Sequence, residues 1–269
     1  MTETDEPRII TLADEAAVAE AAAERIATVL GSAVAERGRA DWMTTGGSSP
    51  IDIYRRLAAM PLRDRMPWSD IHVWWTDDRY VPRDHPLSNV RAFDDIVLDM
   101  AGREAGVAMG RSPLPIRVDQ LHPFRTGEAI GAARGPEGAA ADMVAELAAS
   151  GLEVRDGWPV MDLILLGIGG DGHLLSVFPG SGAFDSTDWA LAVPAPTHIE
   201  PHVARVTMHP SIITAAREVL VTVTGGSKAD IIETLLRGQR DPRRWPGQVA
   251  RRPGASWILD QAAAARLGR

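Results

Sequence analysis

A chain of 269 residues, 45% hydrophobic and 24% charged, is long enough for one large α/β domain or two small ones, and its formal charge of −8 argues against nucleic acid as the main partner. With no cysteine it has neither disulfides nor thiolate chemistry nor a cysteine zinc site. The start, MTETDEPRII, is acidic and lacks a basic region followed by an apolar core, and no segment is apolar for the length of a membrane span, so a cytoplasmic protein without a membrane partner is expected.

Residues 13 to 37, rich in alanine with Val18, Ile26, Val29 and Leu30 along one face, predict a long amphipathic helix ending near Gly38. Asp41 to Thr45 reads as a short strand running into TTGGSSP, where Gly46 and Gly47 turn the chain, Ser49 is placed to cap, and Pro50 opens the helix IDIYRRLAAM. Such a turn is either an ordinary capped strand-to-helix junction or an anion cradle built from Gly46, Gly47, Ser48 and Ser49. Ile71 to Thr76 is the next strand, and Asp77, Asp78 and Arg79 follow it directly. A helix is expected from Val90 to Met100, then an irregular excursion over 101 to 123 and a helix from Ala139 to Ala149.

The stretch MDLILLGIGGDGHLLSVFPG, 161 to 180, organises the chain. Leu163 to Leu166 contains no polar residue and reads as a strand covered on both faces. Gly167, Gly169 and Gly172 then release the backbone, and His173 follows at the start of an expected short helix, placing an imidazole at the carboxyl edge where open α/β sheets bind ligands. Further strands are predicted at Trp189 to Val193, Arg205 to Met208, Val219 to Thr224 and Ser256 to Leu259, with helices at 211 to 217, Ala229 to Arg237 and in the alanine-rich tail. The turn TGGSK before the Ala229 helix holds Lys228, the one lysine among 28 basic residues. It is either a chance survivor on a solvated surface or a compact ammonium placed against a phosphate. The alternation of elements predicts a doubly wound, mainly parallel sheet flanked by helices, with a small additional strand and loop region, all in a single domain over 1 to 269.

Three patterns mislead. GIGGDG fits G-x-G-x-x-G, but Pro179-Gly180 halts any following helix and no acid ends the next strand at the right distance. His198 and His202 have the spacing of a zinc pair, yet Pro201 lies between them and breaks the helix that spacing requires, which makes them surface histidines and leaves no convincing metal site. No G-x-S-x-G elbow marks a serine nucleophile, and Ser176 near His173 has no nucleophile signature.

In order, GGSSP at 46 to 50, TDDRYVP at 76 to 82 with Ser88 and Asn89, LGIGGDGHLLSVFPG at 166 to 180, RVTM at 205 to 208 and TGGSK at 224 to 228 resemble the 6-phosphogluconolactonase family. That family belongs to the wider group of glucosamine-6-phosphate deaminases and sugar-phosphate isomerases. The resemblance implies a sugar-phosphate isomerase-like fold with phosphate held at glycine turns. It also implies hydrolysis of 6-phosphoglucono-δ-lactone to 6-phosphogluconate in the oxidative pentose phosphate pathway, a phosphorylated sugar lactone as the small-molecule partner, and no cofactor. Deaminases carry a glutamate before the proline of their DGHxxFNEP pattern, whereas here Phe178 precedes Pro179, and Arg79 stands where they have tyrosine. Asp78 takes the place of the glutamate most lactonases have, keeping charge but shortening reach. A non-catalytic sugar-phosphate-binding regulator on the same fold is a further alternative, opposed by the intact His173 and Arg79.

Carried onto this sequence, the resemblance makes His173 the general base on a water, without a covalent intermediate. Asp171 shapes the turn or orients the imidazole, and Arg79 stabilises the oxyanion. Gly46, Gly47, Ser48, Ser49, Arg205 and Lys228 grip the phosphate, and Asp77 and Asn89 meet sugar hydroxyls or brace the site.

Overall fold

Aliphatic runs without polar interruption are buried only where both faces of a sheet are covered, and the computed structural model, which describes residues 6 to 98 and 114 to 268, has such a sheet at its centre. In chain order the strands are β1 (Arg8–Leu12), β2 (Ala40–Thr44), β3 (Ile71–Trp75), β4 (Asp77–Arg79), β5 (Leu121–His122), β6 (Val154–Arg155), β7 (Trp158–Pro159), β8 (Leu163–Leu166), β9 (Ala190–Val193), β10 (Arg205–Met208), β11 (Glu218–Val223) and β12 (Ala255–Asp260). Seven of them pair in the order β1-β12-β11-β8-β2-β3-β5, all parallel. Leu163 to Leu166 are completely buried, each contributing about 1.5–3 kcal/mol of apolar burial.

The winding reverses between β2 and β8. From β2 the chain adds β3 and β5 on one side, and from β8 it adds β11 and β12 on the other. A crevice therefore opens at the carboxyl ends of β2 and β8, where helices diverge to opposite sides. The helix Glu15–Arg37 packs across β12, β2 and β11, and Gly38 ends it in the left-handed conformation (φ 74°). A second, antiparallel sheet, β4-β10-β9, lies beside the main one and receives the helix Gly135–Ala149.

Several expectations change. DDR, one residue beyond β3, forms a further strand, β4, because its backbone pairs with β10. The N-terminal edge strand β1, half exposed and without clear alternation, carried no pattern to find. No helix follows His173: Leu174 bridges to Val177 and Leu175 adopts φ 55°, which closes a tight turn. Residues 261 to 268 form successive turns rather than a helix, starting from Asp260, whose carboxylate accepts from Ala263 N. The Ser48 position, not Ser49, precedes the helix Ser49–Leu57, and its helical backbone (ψ −36°) leaves the side chain without a capping bond. Of the excursion at 101 to 123, residues 101 to 113 lie outside the described residues, as do Asp99 and Met100 at the end of the expected helix, which runs here as Arg91–Ile96. The remainder ends in β5, a sheet edge too short to show a period.

Candidate active site

A cleft of about 250 Å³ occupies the crevice. The turn after β2 supplies Gly46, Gly47, Ser48 and Ser49, β4 supplies Asp77 and Arg79, and Asn89 enters from the following loop. His173, Arg205 at the start of β10, and Lys228 after β11 complete the predicted set lining it. Asp171 does not line the cleft and sits behind His173.

The turn after β8 aims the imidazole. Asp171 Oδ1 accepts from the backbone N of His173 at 3.1 Å and from its ring Nδ1 at 2.5 Å, so one carboxylate both shapes the turn and orients the ring. A carboxylate only accepts, which places the ring hydrogen on Nδ1 and leaves the lone pair on Nε2. Burial works against the charge on Asp171, but the bonds from His173 and His198 outweigh it and hold its carboxyl well below the usual range. Gly169 is required here because a Cβ at that position would stand 2.0 Å from Nδ1 of His173. The same applies to Gly46, whose added Cβ would meet the Asn89 amide oxygen at 1.9 Å.

Positive charge gathers in the cleft that the imidazole lines. Arg79 and Arg205 are direct cross-strand partners in the β4–β10 ladder, a like-charge juxtaposition that is unfavourable unless an anion offsets it. Arg79 Nη1 donates to the Leu87 carbonyl at 2.9 Å and to Asn89 Oδ1 at 2.8 Å, and Arg205 Nη2 donates to the Pro201 carbonyl at 3.1 Å. Both Nε atoms are buried without a partner among the described residues. Burial, reinforced by Arg79, lowers the pKa of Arg205. Lys228 Nζ donates to the Ile168 carbonyl at 3.0 Å, and burial lowers its pKa while Asp171 pulls the other way.

The remaining acids brace the site. Asp77 accepts from Thr76 Oγ1 at 3.0 Å and from Ser176 Oγ at 2.6 Å. Asn89 donates from Nδ2 to the Asp77 carbonyl at 2.9 Å, so its amide is held on β4 and packs against Gly46. Asp78 is completely buried and accepts from the backbone of Arg79 and Asn89, both at 2.7 Å, and from Ser88 Oγ at 3.0 Å. Burial pushes its carboxyl up to about 7, with the three donors pulling against it. Its partners are two backbone amides and a nearby hydroxyl, a task for which the short aspartate has the right reach.

His198 and His202 are surface histidines as expected, each about half exposed, and the structure adds a partner for each: His198 Nε2 lies 3.0 Å from Asp171 Oδ2, while His202 Nδ1 lies 2.7 Å from the Pro196 carbonyl. Thr45, Thr222 and Thr224 also line the cleft. The threonines follow from their place at strand ends, but nothing local connects His198 with an acid 27 positions away.

A family model described as glucosamine-6-phosphate isomerases/6-phosphogluconolactonase matches residues 13–259. A Synechocystis protein named 6-phosphogluconolactonase is 33% identical over 97% of this chain and 98% of its own length. A Streptomyces coelicolor protein of the same name is 30% identical over 99% of this chain and 97% of its own. Among solved structures, a 6-phosphogluconolactonase from Trypanosoma cruzi superposes with a TM-score of 0.82 at 23% identity and covers the whole of both chains, a likeness of fold. With a sheet that reverses at β2 and β8, a glycine-bounded imidazole at the reversal and this agreement along the chain, the protein belongs to the glucosamine-6-phosphate isomerase/6-phosphogluconolactonase family.

Proposed function

We propose that this chain, acting as a single domain, hydrolyses 6-phosphoglucono-δ-lactone to 6-phosphogluconate. The relatives that match it along nearly its whole length carry that enzyme name, and one observation supports the chemistry: an imidazole locked on Asp171 faces a cleft walled by Arg79, Arg205 and Lys228. Nε2 of His173 takes a proton from a water as that water attacks the lactone carbonyl. Asp171 balances the imidazolium that forms, and a cleft guanidinium meets the charge developing on the carbonyl oxygen. The tetrahedral species then breaks its bond to the ring oxygen, which takes the proton back from His173 and leaves a hydroxyl and a carboxylic acid. Lys228 and the Gly46 turn grip the phosphate, supplying binding energy away from the reacting carbon.

Water is the attacking group in this scheme because Ser176, the hydroxyl nearest to His173 in sequence, is fully buried and donates to Asp77. Phe178, where the related deaminases have their ring-opening carboxylate, supports the lactonase over the deaminase reaction. The test is acid release from the lactone, corrected for spontaneous hydrolysis, beside an assay for ammonia released from glucosamine 6-phosphate. Release of acid without ammonia is expected, and His173→Ala lowers kcat by about 10²- to 10⁴-fold with KM little changed. Ammonia release, or a His173→Ala enzyme with full turnover, would overturn the reading.

A further inference from the structure

We propose that His198 is a positioning residue for this reaction, holding Asp171 so that its other oxygen stays on the His173 ring. The inference rests on the lactonase reading and adds a residue that no part of it requires. Asp171 has an imidazole on each oxygen: His173 Nδ1 on Oδ1 at 2.5 Å and His198 Nε2 on Oδ2 at 3.0 Å. The terminal torsion of an aspartate is broad, and the His173 ring and backbone N both donate to the same oxygen, Oδ1, so without a partner on Oδ2 the carboxylate plane can still turn about that oxygen. A second donor on the opposite oxygen fixes its plane.

That plane matters because it selects the ring tautomer. When Asp171 turns away, Nδ1 loses the acceptor that keeps its hydrogen, and the hydrogen is free to sit on Nε2, where it blocks the base. His198 is itself held. Its ring meets Phe178 edge-on with centroids 5.5 Å apart, and Phe178 also meets the His173 ring at 4.8 Å and the Arg205 guanidinium at 5.9 Å. The segment carrying it is braced by the bond between His202 and the Pro196 carbonyl and by Arg205 on the Pro201 carbonyl. A half-exposed side chain thus reaches the mechanism through a carboxylate set behind the cleft.

The experiment measures kcat, KM and thermal midpoint for the full-length protein with His198→Ala and with His198→Gln, whose amide donates from the position of the ring Nε2. The ¹⁵N spectra of the His173 ring report its tautomer. His198→Ala lowers kcat about 10-fold, leaves KM and the thermal midpoint close to wild type, and moves His173 toward the Nε2–H form, whereas His198→Gln recovers most of the rate. A His198→Ala enzyme within twofold of wild type in kcat, an unchanged tautomer, or glutamine as slow as alanine would each overturn the role of His198. None of those results touches the base itself, whose failure would show as full turnover in His173→Ala.

Discussion

The two ends of the parallel sheet use arginine in opposite ways. At the amino ends of the strands, Arg25 pairs with Glu218 at 2.6 Å, Arg37 with Asp162 at 2.8 Å and Arg39 with Asp41 at 2.7 Å. At the carboxyl ends, Arg79, Arg205 and Lys228 form no ion pair with a carboxylate among the described residues and are tied by carbonyl and amide oxygens instead. The first arrangement neutralises charge, while the second fixes its direction and leaves it available to an anion. Local surroundings, rather than residue type, separate the two groups of basic side chain in this molecule.

The largest test of that contrast displaces the imidazole without altering any charge. Gly169→Ala drives a methyl into the His173 ring, and kcat falls about 10²-fold with KM little changed. Steady-state kinetics measure this, and an unaltered kcat would mean the ring has room to move. Next is the proposed phosphate grip: Lys228→Ala raises KM about 10- to 100-fold with a smaller effect on kcat, and Lys228→Arg restores only part of it. Equal KM values for lysine and arginine at 228 would show that a compact ammonium is not needed there.

A smaller effect concerns the buried acid under β4. Folding raises the Asp78 carboxyl from its ordinary value to about 7, so between about pH 4 and 7 the folded chain holds a proton that the unfolded chain releases. The contribution of Asp78 to stability therefore falls as pH rises through that window and is lowest above it. Asp78→Asn removes the titration, and the midpoint of the variant relative to wild type is higher at pH 8 than at pH 5. Thermal melts at the two values decide it, and a difference that is constant or reversed counts against a raised pKa. The smallest effect belongs to the amino end: Arg25→Gln, which breaks a pair whose arginine side chain is 46% exposed, changes stability by at most about 1 kcal/mol and leaves kcat and KM alone. A change in kinetics there would dissolve the distinction between the two ends.

Much of the framework was legible because its signals are local. The run Leu163 to Leu166 reads as a doubly covered strand, and the glycine turns after β2 and β8 mark places where the chain approaches a side chain closely, at Gly46 and Gly169. Those turns, with the lone lysine and the histidine after Gly172, located Gly46 to Ser49, His173 and Lys228, and the strand before them located Asp77 and Arg79, whereas Asn89 and Arg205 entered only through the family likeness. Other assignments depended on partners far along the chain. Asp77 to Arg79 became a strand through pairing with β10, and the turn after His173 is held by Ser176 on Asp77 and Thr207.

The sequence by itself determined the alternating sheet-and-helix architecture and the strand tips that line the cleft, because hydrophobic period and glycine turns act within a few residues. Only the tertiary structure decided that Arg79 faces Arg205 across a ladder, that Ser176 is spent on Asp77, and that His198 reaches Asp171. Hydrogen bonds between side chains many residues apart depend on where the backbone carries them, and short-range pattern contains no record of that.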